Sequence, residues 1–381
     1  MSRHGRDVLE LVRTGAAASR ADIARITGMS PSTASTRVDG LIRRGLLVEH
    51  EAAGEARAGR RPRRLALAPG LGSVACIDLG VSRAVVHVDD IAGGHRAELD
   101  ADLDVATGPE AVLERLREPL EELLAGRPAL QALCLGVPGP VGAGRDRVVA
   151  PARMPGWNGS DVAGLAQKLF DVPVVVENDA NLIALGENDR RAEPHGDLVV
   201  VTVDAGIGCG FIVGGRLYRG ADGMAGDISH TVVPGGPDVP CSCGRSGCLD
   251  VVASGSALVA ELRRSGGTAS TPDELVALAH DGDPLATRLL REAGQRVGNV
   301  LATVVSFLNP TDLVLTGPLA DAPAFLSAVR SSVYDACLPA TTASLEVSSI
   351  PDTAAATAHG GLALAGAAAF ERGAIADQVG R

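Results

Sequence analysis

Aromatic side chains are nearly missing from this sequence: one Trp, two Tyr and five Phe in 381 residues. A core has to be packed from Ala, Val, Leu and Gly instead. At 46% hydrophobic residues, there is enough material for a sizeable one. Lysine is scarcer still. Lys168 is the one basic residue among 35 that is not arginine, a bias that reads as codon usage rather than chemistry. No apolar run approaches the ~20 residues that span a bilayer, and the first residues lack the apolar segment of a secretory leader. Neither membrane insertion nor export is therefore expected. The cysteines number seven, an odd count. Four of them, Cys76, Cys134, Cys209 and Cys337, are scattered, which fits a reducing cytoplasm better than a disulfide framework.

The other three cysteines fall in one stretch, Cys241-Ser-Cys243-Gly-Arg-Ser-Gly-Cys248, with the spacing C-x-C-x4-C. Gly244 and Gly247 let the backbone fold back so that three sulfurs converge. Thiols at this density predict a structural zinc, one per chain. Zinc requires a fourth ligand, and His230 lies upstream at a plausible distance. The bland alternative is a set of packed or disulfide-linked cysteines; short spacing with interleaved glycine suits a metal knuckle better.

Charge divides the chain in two. Residues 1–70 carry 13 arginines against 7 acidic residues, a charge of +6, while the remainder stands at −17. A basic head on an acidic body is expected of a DNA-reading module joined to a ligand-binding one. The head's local pattern agrees. Asp7 to Arg13 reads as a short helix, and Ser19 caps a second one, Arg20 to Thr27, with Asp22 placed to accept back as in a capping box. Gly28-Met29-Ser30 turns the chain. Ser30 then caps a third helix that has Pro31 in its first turn and ends at Gly45. Val38, Leu41 and Ile42 give that helix an apolar face. Ser32, Thr33, Ser35, Thr36 and Arg37 lie opposite, suited to phosphates and base edges in a major groove. The strands Leu46-Leu47-Val48 and Leu65-Ala66-Leu67, with Arg60, Arg61, Arg63 and Arg64 before the second, predict a β-wing that meets the DNA backbone or minor groove. Residues 1–70 are thus read as a winged helix-turn-helix, with a small helical protein-interaction module as the alternative.

From Val74 the pattern becomes that of an α/β architecture. Strands run into loops at Asp78-Leu79-Gly80, Gly136-Val-Pro-Gly-Pro140 and Asp204-Ala205-Gly206, and again after Asp312-Leu-Val-Leu-Thr316. Ala111 to Leu124 reads as an amphipathic helix that Pro119 kinks or splits. Glu177-Asn-Asp-Ala-Asn181 follows a short strand and on local grounds alone is equally a capped helix start. Trp157 on its own is a core residue or a loop anchor.

Taken in order, Asp78-Leu-Gly80, Gly136-Val-Pro-Gly-Pro140, Pro155-Gly156-Trp157, Glu177-Asn-Asp-Ala-Asn181, Gly206-Ile-Gly208, the Gly220–His230 segment and the cysteine knuckle resemble the ROK family of repressors, open reading frames and sugar kinases. The likeness runs from about residue 72 to the end, and the head resembles the winged helix of the family's repressors. It implies an actin-like (RNase H-like), two-lobed ATPase fold with a sugar cleft. Lobe one would span about 71–190 with a C-terminal helix at about 358–381, and lobe two about 191–357. Carried over by position, Asp179 matches the kinase base that takes a proton from the sugar hydroxyl. Asn178 matches a sugar ligand, and His230 a residue serving zinc and sugar. Asp227 and Asp250 stand where the family has Glu, each one methylene shorter, so the identity of the sugar stays open.

The phosphate loops depart from the kinase pattern. Val81 and Ser82 follow Gly80 where the kinases continue with glycine, and Asp204-Ala205 precedes Gly206 where they have Gly-Thr. A branched side chain blocks backbone approach to phosphate. A carboxylate beside the terminal phosphate costs on the order of a few kcal/mol. ATP and magnesium are therefore not expected, whereas the sugar side is preserved. These features predict a sugar-responsive regulator, in the sense of a repressor, that binds operator DNA as a homodimer or homotetramer in the cytoplasm. The alternatives are an ATP-dependent sugar kinase with an accessory head and a regulator answering to another metabolite or a protein.

Overall fold

The computed structural model describes residues 3–51, 63–191, 196–372 and 375. Two compact units are distinguished. The first comprises Met1–Leu135, Asp161–Val176 and Gly361–Arg381, and the second Gly136–Ser160 and Glu177–Gly360.

The first unit opens with three helices, α1 (Arg3–Arg13), α2 (Arg20–Thr27) and α3 (Pro31–Arg43), followed by the antiparallel strands β1 (Leu47–Glu51) and β2 (Arg63–Leu67). Both expected caps are present. Ser19 accepts from the Asp22 amide while the Asp22 carboxylate accepts from the Ser19 hydroxyl at 2.8 Å. Ser30 accepts from the Thr33 amide, and Gly45 ends α3 in the left-handed region at φ 69°. Val8, Leu9, Ile23, Val38 and Leu46 form the buried centre of this small domain. Arg20 ties it together. Its guanidinium bonds both oxygens of Glu49 on β1, pairs with Asp39 at 2.7 Å and donates to the Ser35 carbonyl.

A five-stranded sheet follows in the order β5-β4-β3-β6-β7. Its strands are β3 (Ser73–Leu79), β4 (Arg83–Asp90), β5 (Ala97–Asp102), β6 (Leu130–Val137) and β7 (Val174–Asn178). Between β5 and β6 run α4 (Pro109–Arg115) and α5 (Arg117–Leu124), and α6 (Val162–Phe170) precedes β7. The helix expected over 111–124 is thus split at Leu116. Pro119 is the cause: its ring would press on the carbonyl of residue 115, four positions back, so the helix restarts just before it.

The second unit carries α7 (Asp179–Arg190), the hairpins β8 (Leu198–Val203), β9 (Ile207–Val213) and β10 (Arg216–Tyr218), and a helical stretch of α8 (Leu249–Ala253), α9 (Gly255–Arg264), α10 (Pro272–His280) and α11 (Pro284–Leu308). It continues with β11 (Asp312–Thr316), α12 (Pro323–Ala336), α13 (Pro339–Thr342) and β12 (Glu346–Ser349), and α14 (Thr353–Arg372) begins in it. Its sheet has the order β10-β9-β8-β11-β12, antiparallel on the β8 to β10 side and parallel from β8 through β11 to β12. Val199, Val201, Val203, Leu313, Leu315 and Phe325 lie in its hydrophobic core.

Gly208 and Gly210 belong to strand β9. A Cβ at Gly208 would lie 2.9 Å from the Ala180 side chain and one at Gly210 would lie 2.7 Å from the Ala180 carbonyl oxygen. Here glycine lets α7 rest directly on the strand. Two mixed sheets flanked by helices, behind a winged helix, make up the expected fold.

Candidate functional site

The site is built at the start of α7. Valines bury strand β7, and the chain then needs a cap. Asn178 supplies it, its Oδ1 accepting from the Asn181 amide at 3.2 Å. The Asn178 side-chain amide donates to the Gly139 carbonyl at 3.1 Å and to Asp179 at 2.9 Å. Asp179 therefore stands in the first turn of a 12-residue helix, where the helix dipole favours an anion. Burial pushes its carboxyl up to about 6, against the opposing pull of the Ala180 amide, the Arg153 charge and Asn178.

Below this turn lies Glu177, 1% exposed. Its Oε1 accepts from the Asn178 amide at 3.2 Å and from Asn181 Nδ2 at 2.9 Å. Its Oε2 accepts from Arg219 Nε at 2.8 Å and Nη2 at 2.6 Å, with Arg145 Nε 3.6 Å away. In the sequence Glu177 stands only as part of a motif, with no mark of its arginine partners. Nothing local marks a pairing that spans 42 positions of chain.

Arg153 was also missed. Its Nη2 donates to both oxygens of Asp250, at 3.1 and 3.2 Å, and Asp250 Oδ1 also accepts from the Ile207 amide at 3.3 Å. The guanidinium lies against residue 206, where a Cβ would come within 2.8 Å of its Cζ, so any larger residue there would push Arg153 aside. Asp250 is thus engaged by Arg153 and by the start of β9. Nearby Trp157 is wholly buried, its amide bonded to the Met154 carbonyl, so it anchors the loop that carries Arg153.

Backbone bonds join the 229–233 segment to 247–250: Asp250 N to Ser229 O at 2.9 Å, Leu249 N to Thr231 O at 2.8 Å and Val233 N to Gly247 O at 2.9 Å. Exposed Asp227 accepts from the Ser229 hydroxyl at 2.7 Å. The Arg153 charge acts on Asp179 while its guanidinium binds Asp250, and Asp250 is tied through the Ser229 carbonyl to the segment that carries Asp227 and His230. Carboxylates, an amide and a guanidinium in such a series suit a polyhydroxylated ligand.

His230, Cys241, Cys243 and Cys248 offer four ligand atoms that all lie within 4.8 Å of one another. Cys241 Sγ is 3.4 Å from His230 Nδ1, and Cys243 Sγ is 3.5 Å from Cys248 Sγ. A tetrahedral ion with metal–sulfur bonds of about 2.3 Å would space its ligands by roughly 3.7 Å. The geometry and the donor set therefore fit a four-coordinate metal. The turn between the ligands is closed by Cys241 N to Arg245 O at 2.7 Å and by Gly244 N to Cys241 O at 3.0 Å. The Arg245 amide holds the Cys243 thiol below its ordinary range.

Of the two altered loops, the one at 80–82 belongs to the first unit and the one at 204–206 to the second. In the first, Gly80 N bonds Arg83 O at 2.8 Å, Ser82 O accepts from Leu103 N at 3.1 Å, and the Val81 side chain points outward at 43% exposure. In the second, the carbonyls of Asp204 and Ala205 accept from the Gly255 and Ser256 amides at the start of α9, leaving Asp204 exposed.

On the head, Ser32, Thr33, Thr36 and Arg37 line one open hollow on α3, and half-buried Ser35 is not among them. Arg63 stands at the base of the wing, 3.5 Å from Glu49. Arg60 and Arg61 lie outside the described residues. No helix among the described residues is long and apolar enough to cross a membrane.

Residues 74–372 match the ROK family model, and residues 6–58 match that of the MarR family. The xylose repressor of Caldicellulosiruptor bescii is 28% identical over 328 residues, which cover 81% of each chain. Among solved structures, a ROK family transcriptional regulator, homologue of the E. coli MLC protein, aligns with a TM-score of 0.79 at 22% identity, covering 99% of this chain and 98% of the other. A ROK family glucokinase from Streptomyces griseus, in complex with glucose and AMPPNP, aligns with a TM-score of 0.64 at 24% identity, covering 77% of this chain and 99% of the other.

Proposed function

The chain belongs to the ROK family, and we propose that it is a sugar-responsive transcriptional repressor. One observation carries this reading: three helices and the strand pair β1–β2 of a winged helix, with Ser32, Thr33, Thr36 and Arg37 on an open face of α3, precede the ROK domain. In this reading α3 enters the major groove of operator DNA, and Arg37 and the wing arginines Arg60, Arg61 and Arg63 meet phosphates. The domain division is residues 1–70 for DNA and 71–381 for the effector. Asn178, Asp179, Asp227, His230 and Asp250 read the sugar, with Arg153 and Glu177 holding them in place. A zinc ion at His230, Cys241, Cys243 and Cys248 braces the segment that bears Asp227 and Asp250. The protein acts as a homodimer or homotetramer in the cytoplasm, and ATP and magnesium take no part.

The test is selection of DNA from a random pool by the full chain, followed by shift assays over a sugar panel. The expected result is a sequence-specific complex whose affinity one sugar changes by tenfold or more. It should be lost when residues 1–70 are deleted. Unchanged DNA affinity after that deletion overturns the reading.

The kinase alternative is supported by Asp179, a carboxyl at about 6 in the position of a base. Sugar-dependent ADP release that Asp179→Asn abolishes would reverse the ranking.

A further inference from the structure

The chain uses only part of Arg153. Its Nη2 donates to both oxygens of Asp250, while among the described residues Nε and Nη1 have no hydrogen-bond partner. A guanidinium donates from all of its nitrogens and stays charged at any physiological pH. Holding Asp250 does not need the others, since the Ile207 amide holds it as well at 3.3 Å. Nor are the unspent donors sealed off. The side chain is 26% exposed and stands over Gly206, with Nη1 and Nη2 each 3.0 Å from where a Cβ would lie.

The side chain is also held ready. Its loop is stapled by Ala150 N to Asn158 Oδ1 at 2.8 Å, by Arg147 Nη1 to the Gly159 carbonyl at 2.9 Å and by Gly159 N to Val148 O at 2.9 Å. Met154, the next residue, is buried together with Trp157. A donor fixed before the ligand arrives costs little to order on binding. Its neighbours are residues proposed to read the sugar: Asp250 by contact, and Asp179 within range of its charge. Carboxylates and an amide suffice to bind hydroxyls. A cation with unspent donors among them calls for an anion on the ligand.

We propose that Arg153 is a specificity residue and that the effector is a sugar acid, whose carboxylate takes the donors that Asp250 leaves free. The surrounding charge sets the kind of anion. Asp250 already offsets part of the Arg153 charge, and exposed Asp204 stands two positions before Gly206. A phosphate ester would bring roughly twice the charge of a carboxylate against Asp179, Asp204 and Asp250. One carboxylate matches one guanidinium. The proposal rests on the sugar-responsive function proposed above and narrows its ligand.

Isothermal titration calorimetry of the full chain tests it. The panel is the uronic and aldonic acids of the common hexoses and pentoses, the parent sugars, glucose 6-phosphate and inorganic phosphate. One acid is expected to bind at least about tenfold more tightly than its parent sugar. Arg153→Gln should abolish that preference, whereas loss of a residue that merely holds Asp250 would weaken acid and parent alike. Arg153→Lys keeps the charge and should retain part of the preference. Far-UV circular dichroism checks that the variants are folded. Should neither fold, salt dependence of the wild type decides: added sodium chloride should weaken the acid and leave the parent sugar unchanged. Tighter binding of the neutral sugars, equal losses in Arg153→Gln, or acid binding that ignores salt overturns the role of Arg153 and leaves a sugar-responsive regulator standing. Preference for the phosphate ester overturns the carboxylate. A wild type that binds no member of the panel overturns both the sugar acid and the sugar response.

Discussion

Glu177→Gln is the most demanding test of the site's architecture. Four hydrogen bonds from three residues hold this carboxylate, from the Asn178 amide, Asn181 Nδ2 and two nitrogens of Arg219, and Arg145 Nε adds an ion pair at 3.6 Å. A glutamine keeps the shape and replaces one acceptor oxygen with a donor. In either orientation its NH₂ faces donors. Toward the arginines it loses the charge-assisted bonds, worth ~1.5–3 kcal/mol, and toward α7 it opposes the Asn178 and Asn181 donors. The buried amide hydrogen left without an acceptor adds ~1–3 kcal/mol. Breaking a buried ion pair by removing one charge costs ~3–5 kcal/mol. The arginine side chains are 27% and 30% exposed, so water relieves part of this and the lower end applies, about 3 kcal/mol. For a unit of this size 1 kcal/mol shifts the melting temperature by ~2–4 °C, so a fall of roughly 6–12 °C is expected in differential scanning calorimetry. The stabilisation by the effector sugar should also shrink, because Asn178 is positioned through this carboxylate. A variant melting within ~2 °C of the wild type would show that these four hydrogen bonds and the arginine charges do not hold Glu177 as described.

Three further outcomes follow from the same geometry. The Asp179 carboxyl is raised from an ordinary 3.8 to about 6, so its ionisation favours the unfolded chain. The penalty is absent below pH ~4, grows toward pH 6 and is complete above it. Asp179→Asn should therefore match the wild type in urea melts at pH 4 and exceed it at pH 7.5, by at most about 3 kcal/mol; an equal difference at both pH values counts against the assignment. Gly360→Ala on α14 would drive a methyl into the Leu182 carbonyl of α7. A loss of ~1–3 kcal/mol in the denaturant midpoint is expected, and a neutral result would mean the helices can separate at no cost. Elemental analysis of fresh protein should return one zinc per chain, and Cys243→Ser should lower the zinc content and blunt the sugar response. Full response without metal would show that no metal braces the sugar segment.

What could be read from the sequence was local. The Ser19–Asp22 and Ser30–Pro31 caps act within one turn of chain, and the three cysteines lie within eight positions, so spacing alone exposed them. Split helices α4 and α5 were half legible: proline predicts a break, but the break falls one turn earlier, where the carbonyl it strikes is located. The role of Gly208 was opaque, because a glycine in a motif does not show that a strand is pressed under a helix. Arg153 and Arg219 were invisible for a different reason. Their partners lie 97 and 42 positions away, and an arginine in a chain with 34 of them carries no signal of its own.

The single tryptophan has a practical consequence. Trp157 is fully buried, in the same loop as Arg153 and three residues from the amino acid it anchors, Met154. Intrinsic fluorescence excited at the red edge of protein absorption therefore arises from one position, next to the proposed effector contacts. An indole sealed from water emits toward the blue; any ligand that loosens or tightens this loop alters that emission. The chain thus carries its own optical reporter, and unlabelled protein with a fluorimeter suffices to screen sugars against it.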